Sequence, residues 1–423
     1  MADVTQTRTG IAFMSSAPSL SGTIFTDDDL RNARLVWAHL EQRCAPGWFA
    51  KPRGLLAGLF EANTPHAACV LIEIAAALDA VRLNLTVKSV PVFEKKVVSL
   101  LTAKEEKVFD ELLTEILVAA TLTGSVSPIS FEPYVPAGIG GQRPTSSDYA
   151  IWLPDGPVAI EVSVLYIGQL ERWQRRVREI RDIVREKIGA AEGVYRDVEL
   201  ELPLEFSPKL GAKLSERRVT NEIIRAAQGE LEFPVGRQTA RLRWRPMPIY
   251  EQTTFDVSNV PAETNTWVVA DGGPGAAKNS FGFTSRPTGD PKQFTELMFS
   301  SLKNTLARKR DQFRGKKERY VLILKLGHHR MPPELLHDLF RARIWPNKSL
   351  YHWITCFAEF RPRRQYTQGG QGPSLSTQVN PNGAPQAGPQ LSALLNGEKT
   401  FHAPRAAKGP TPASDAGATA RAE

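Results

Sequence analysis

"SSDYAIWLPDGPVAIEVSVLY", residues 146–166, decides how the rest of this 423-residue chain is read. Two apolar stretches flank a turn-rich "LPDGP", the composition of a β-hairpin. Side chains alternate along a strand. On the second strand Val158, Ile160, Val162 and Val164 therefore share one face, and Ala159, Glu161, Ser163 and Leu165 the other. With the turn at Asp155–Gly156, Leu153 pairs with Val158, Trp152 with Ala159, Ala150 with Glu161 and Asp148 with Ser163. That register makes Asp148 and Glu161 diagonal neighbours on one face, their Cβ atoms roughly 7–8 Å apart. Two converging carboxylates repel unless something positive sits between them. A hard cation such as Mg²⁺ meets that need, because it takes one or two carboxylates, water and substrate phosphate. The bland counterpart is an edge hairpin whose second face is solvated.

Outward from the hairpin, residues 103–123, "AKEEKVFDELLTEILVAATLT", carry a helical stripe of Phe109, Leu112, Leu113, Ile116, Leu117 and Ala120. "SPISFEPYVPAG" (127–138) reads as a strand. After the hairpin, residues 169–189 form a helix that buries Trp173, Val177, Ile180 and Val184, and strands are predicted over 197–206 and 239–250. A third helix, 291–315, has Phe294, Met298, Leu302, Thr305, Leu306 and Phe313 on its inward stripe, with Lys309 and Gln312 on the same stripe. "ERYVLILKLG" (318–327) is a continuous apolar run, as in a strand buried on both faces. A short helix over 332–343 and a last strand in "SLYHWITCFAEF" (349–360) follow. Residues 1–25 read as a disordered arm, 26–103 as a helical N-terminal region, and 361–423 as a low-complexity disordered tail.

This order, a helix with glutamates, a strand, a hairpin carrying Asp-x₁₂-Glu-x-Ser, then a helix and an apolar strand, resembles the PD-(D/E)XK nuclease superfamily. The resemblance implies an α/β protein with a restriction-endonuclease-like αβββαβ core, a mixed sheet flanked by helices. That core spans 104–360, with an α+β segment inserted at about 169–290. "SSD" stands at the PD element, with Ser147 where proline is usual, and "EVS" at the (D/E)XK element. Asp148 and Glu161 are thus implied as ligands of Mg²⁺ or Mn²⁺. Glu115 on the first helix is the implied assisting acid. Glu111 lies on the opposite side of that helix, and Glu105 precedes the centre of its stripe. Ser163 departs from the pattern, because the resemblance puts the catalytic lysine there. Lys309 is the expected displaced cation, with Gln312 and Ser163 assisting and Arg172 and Arg175 as the next candidates. The implied activity is a Mg-dependent phosphodiesterase acting on DNA or RNA by metal-activated water. The alternative is a catalytically degenerate member that binds nucleic acid or a protein partner without cleavage, which Ser163 and the missing proline favour.

Composition agrees without deciding. The 53 Lys and Arg against 45 Asp and Glu give +8 and a sequence pI of about 9.3, a balance suited to a polyanion partner. The three cysteines lie far apart with no C-x-x-C, so neither a zinc ribbon nor a disulfide framework is expected, and a reducing cytoplasm fits. The most apolar stretch contains Glu73 and Asp79, so no membrane span is expected. "DGGPGAAK" has Ala277 where a phosphate-binding loop needs glycine. "RARIW" (341–345), "RPRRQY" (361–366) and His328–His329 are minor phosphate-contact candidates. The arginines of 169–187 sit three and four residues from acids, the pattern of a self-neutralised surface helix.

Overall fold

The structure is a computed structural model. It describes residues 11–16, 20–62, 64–123, 128–132, 134–135, 145–189, 196–214, 216–235, 238–246, 267–269, 281–288, 291–313, 319–327, 335–363, 366–367, 370, 372–383, 386–388, 390–391 and 399–400. The helices are α1 (Ala12–Ser15), α2 (Asp27–Cys44), α3 (Leu55–Glu61), α4 (Pro65–Leu83), α5 (Val90–Thr102), α6 (Glu106–Thr123), α7 (Gly168–Gly189), α8 (Pro208–Leu214), α9 (Arg217–Arg225), α10 (Pro291–Phe313), α11 (Leu335–Leu339) and α12 (Lys348–Tyr351). The strands are β1 (Ile129–Phe131), β2 (Tyr134–Val135), β3 (Thr145–Ser146), β4 (Tyr149–Leu153), β5 (Gly156–Leu165), β6 (Arg196–Pro203), β7 (Gly229–Val235), β8 (Gln238–Pro246), β9 (Trp267–Val269), β10 (Phe281–Thr288), β11 (Arg319–Leu326), β12 (Cys356–Arg361), β13 (Ser374–Val379) and β14 (Lys399–Thr400).

The chain is mixed α/β and divides into two compact units. The first comprises the chain up to Val164, Phe313–Lys325 and the chain from Asn347; the second comprises Leu165–Gln312 and Leu326–Pro346. No described helix is long and apolar enough to cross a membrane.

In the first unit Thr26 opens α2 with a capping box. Its hydroxyl accepts from the Asp29 N–H, and the Asp29 carboxylate accepts from the Thr26 N–H, which satisfies donors that a helix start leaves open. Helix α4 is apolar nearly all round and buried along its length, as expected of the central helix of a bundle. Beside the helices lies a seven-stranded sheet ordered β1-β4-β5-β11-β12-β13-β14. Neighbours β1–β4 and β4–β5 are antiparallel, β11–β12 parallel and β12–β13 antiparallel. Tyr149, Ile151, Val158, Ile160, Val162, Val321 and Ile323 on one sheet face join the helices in one continuous core. The helices of the N-terminal region therefore share one core with the sheet.

The hairpin forms, with its turn one residue earlier than expected. The pairs are Tyr149 with Ile160, Ala150 with Ala159, Ile151 with Val158, Trp152 with Pro157 and Leu153 with Gly156. Pro154 and Asp155 make the turn. Proline's fixed φ suits the first central position of a turn, and Gly156 follows at φ +122°, a conformation that favours glycine. The register moves by two residues, so every side chain keeps its predicted face.

Parts of the expected arm and of the expected tail are described and belong to the first unit. Within the expected arm, Ile11, Phe13, Leu20 and Phe25 are buried, because large apolar residues among Ser and Thr still find the core. Within the expected tail, β13 pairs with β12 from Cys356–Val379 to Arg361–Ser374, and Leu375 is buried. Composition misses this, because β13 is stabilised by an available strand edge more than by its own side chains. The last predicted strand is also shorter: 348–351 is helical and β12 begins at Cys356. "RPRRQY" is not a free basic cluster. Arg363 donates to Glu73 of α4 at 2.6 Å, with side chains only 4% and 6% exposed, and Tyr366 donates to the same carboxylate at 3.0 Å. Ending the chain after Pro362 is therefore expected to cost more than the roughly 3–5 kcal/mol of breaking one buried ion pair. Thermal melts would show it, and an unchanged melt would mean that this segment does not hold the fold.

The second unit has a five-stranded sheet, β7-β8-β6-β10-β9, with β6 and β10 parallel and the other neighbours antiparallel. Helix α7 buries Trp173, Val177, Ile180 and Val184, as its periodicity predicts. The arginines of β8 meet acids on both sides: Arg241 with Glu232, Arg243 with Glu230 and Glu201, Arg245 with Asp197. Arg343 of "RARIW" is held by Glu296. In α10, Met298, Leu302, Thr305 and Leu306 are buried and Lys309 is half-buried. The Gln312 side chain, His328 and His329 lie outside what is described.

Candidate active site

The site grows from the open end of the hairpin. Continuing the ladder one step beyond Tyr149–Ile160 sets Asp148 opposite Glu161. The Glu132 N–H donates to the Asp148 carbonyl at 2.8 Å, so the main-chain groups of Asp148 turn toward β1 and away from β5. Asp148 and Glu161 then form a non-hydrogen-bonded pair, the kind whose Cα atoms approach to about 4.5 Å and whose side chains are closest. The Val162 N–H donates to Asp148 Oδ2 at 2.7 Å. A side chain thus ends the ladder where a main-chain carbonyl would have continued it. Glu161 is 3% exposed and lies on the face that carries Ala159, away from the apolar core. Ser163 is half-buried on the same face two residues on. The expected partner for Asp148 was Ser163; the two-residue shift gives it Glu161.

Within electrostatic reach of Asp148 sits a lysine outside the expected set. Lys96, on α5, donates to Glu115 Oε2 at 2.7 Å and lies 3.1 Å from Glu132 Oε1. Its side chain is 11% exposed, against 15% for Glu115 and 47% for Glu132. Lys96 also stands 5.9 Å from the centre of the Phe131 ring. Burial, followed by the negative charge of Asp148, pushes the Glu115 carboxyl up to about 7, while Lys96 pulls it back. Burial works against the charged form of Lys96, but Glu115, Asp148 and Glu132 together hold it above its ordinary value. Tyr149 donates from its hydroxyl to the Glu115 carbonyl at 3.5 Å. Burial and the charges of Asp148 and Glu115 raise that phenol well above the usual range. Burial and Asp148 likewise raise Tyr320 on β11.

The structure thus brings Glu115 and Asp148 into one electrostatic neighbourhood and sets Glu161 across from Asp148. Lys309 belongs to the second unit. Lys325 of β11 is buried in a pair with Asp110 of α6, so it is a second lysine close to that helix. No group of three or more His, Cys, Asp or Glu able to hold one ion occurs among the described residues. Asp148 and Glu161 make a set of two facing carboxylates, and two are compatible with Mg²⁺ where water and substrate phosphate complete its shell.

Lys96 did leave a trace in the sequence. Phe93, Val97 and Leu100 are buried on α5, and Lys96 falls at i+3 from Phe93, on the edge of that stripe. A lysine at an inward position must meet an acid. Compared with family models, with curated proteins and with solved structures, the chain matches none.

Proposed function

We propose that this chain is a metal-dependent phosphodiesterase acting on nucleic acid. The Asp148–Glu161 pair at the hairpin's open end carries the reading. The element order α6-β1-β4-β5-α10-β11, with β1, β4, β5 and β11 adjacent in the sheet, supports the nuclease-like core that the sequence resembles. Asp148 and Glu161 would hold Mg²⁺ or Mn²⁺, which when bound supplies a water of lowered pKa and offsets charge on the phosphoryl oxygens. Asp148 is oriented by the Val162 N–H. Glu115, pushed up to about 7, is poised to take or give a proton at a carboxylate oxygen near neutral pH. Lys96 supplies the positive charge that Ser163 cannot.

Incubation with plasmid, single-stranded oligonucleotides and RNA, in Mg²⁺, in Mn²⁺ and in EDTA, tests this. Strand scission in either metal and none in EDTA is the expected result. Binding without scission in both metals would favour the degenerate reading, to which Ser163 points. Neither binding nor scission would remove the nuclease and leave of the degenerate reading only a protein partner.

A further inference from the structure

We propose that Lys96 is the binding cation for a phosphate oxyanion and that Glu132 occupies its place in the absence of that ligand. The inference deepens the function proposed above and rests on it for the nature of the substrate.

The two carboxylates on Lys96 are unlike each other. Glu115 is the enclosed partner and meets Lys96 at 2.7 Å. Glu132 is the more exposed partner, at 47% against 15%, and meets the same ammonium at 3.1 Å. A lysine has three N–H donors on one rotatable head, so the inner bond can persist while the outer acceptor changes. The contact with Glu132 is the cheaper one to exchange, since an ion pair open to water is worth little. A phosphate offers charge and several strong acceptor oxygens, which makes it a natural replacement.

Glu132 is also held in an unusual way. Its φ is +43°, and it is the one non-glycine residue at positive φ among the described residues. Its N–H is fixed on the Asp148 carbonyl. The backbone that anchors the candidate metal ligand thus aims the blocking carboxylate. A substrate phosphate arriving beside Asp148 would displace the Glu132 side chain alone and leave the main-chain bond intact. Three carboxylates, Glu115, Glu132 and Asp148, act on this single lysine, so removing the outermost charge also reduces repulsion of an incoming anion.

Binding of inorganic phosphate, followed by thermal shift in EDTA, tests this without catalysis. Glu132→Gln should bind phosphate more tightly, by up to about fivefold, the worth of an exposed ion pair. The gain should vanish in the triple variant Lys96→Met, Glu115→Gln, Glu132→Gln, which removes both carboxylates in contact with Lys96 together with the lysine; a melt alongside confirms the fold. Equal phosphate affinity for wild type and Glu132→Gln would overturn the inference, and so would a gain that survives loss of Lys96. Oligonucleotide binding, followed by anisotropy in the same EDTA buffer, separates the two proposals. Tighter phosphate binding by Glu132→Gln with no nucleic-acid binding by any variant would uphold the oxyanion site and sink the nuclease. Metal-dependent scission with phosphate affinity indifferent to Glu132 would do the reverse. If both hold, Glu132→Gln should also tighten oligonucleotide binding by up to about fivefold with the salt slope unchanged, because Lys96 meets the same phosphate in both complexes.

Discussion

Asp148→Asn is expected to bring metal-dependent scission down to the uncatalysed level while the protein stays folded. Asparagine keeps an oxygen where Asp148 Oδ2 now accepts from the Val162 N–H, so the end of the ladder survives. What disappears is the negative charge that faces Glu161. The loss should exceed the roughly 10–100-fold cost typical of a group that merely orients a metal ligand, because this carboxylate would be the ligand. Initial rates on a linear duplex, with Mg²⁺ titrated from micromolar upward, measure it, and a melt alongside confirms the fold. Glu161→Gln should behave alike. Since both side chains would act on one ion, the double variant should be little worse than either single one, the non-additivity expected of groups that work as a unit. A rate within tenfold of wild type for Asp148→Asn would take this residue out of the reaction.

How far the site was legible in the sequence depends on how far apart its members lie along the chain. The face shared by Asp148 and Glu161 was readable because strand parity has a period of two, and the register error was also two. The placement of the turn was not, because "LPDGP" holds two overlapping candidates and only Pro154's φ and Gly156's φ of +122° choose between them. Lys96 was missed for a different reason: its partner Glu115 lies 19 residues away on another helix, and no single-helix pattern reports that contact. "RPRRQY" misled in the same way. Its basic side chains suggested phosphate, yet the carboxylate that neutralises Arg363 stands 290 residues earlier. The β13 strand carries a single large apolar residue besides Val379, too little to announce itself, and becomes a strand because β12 presents an edge to it.

Lys96→Met is expected to cost the first unit little in acid and well under about 1 kcal/mol at pH 7, and then about 1.4 kcal/mol more for each pH unit above 7 until the variant's own Glu115 carboxyl ionises. Glu115 is the reason. Its carboxyl stands at about 7 in the fold against an ordinary 4.5. Between those values the folded protein keeps a proton that the unfolded chain has released, so stability falls as pH rises through that interval, by on the order of 3 kcal/mol in all. Lys96 limits this fall by favouring the charged form of Glu115, and it stays cationic throughout, because its neighbours hold it above its ordinary value. Without it, only burial and the charge of Asp148 act on Glu115, and both push upward. The folded value then rises further, and the loss of stability extends above pH 7. Below about pH 4.5 Glu115 is protonated in both states, so the variant should approach wild type there. Chemical denaturation at pH 4.5, 7 and 8.5 reads this directly. Adding Glu115→Gln should recover most of the loss at pH 8.5, because no buried carboxylate remains to be matched. A deficit of equal size at all three values would mean that Lys96 supports the fold through its aliphatic stem, and that its ion pair with Glu115 contributes little.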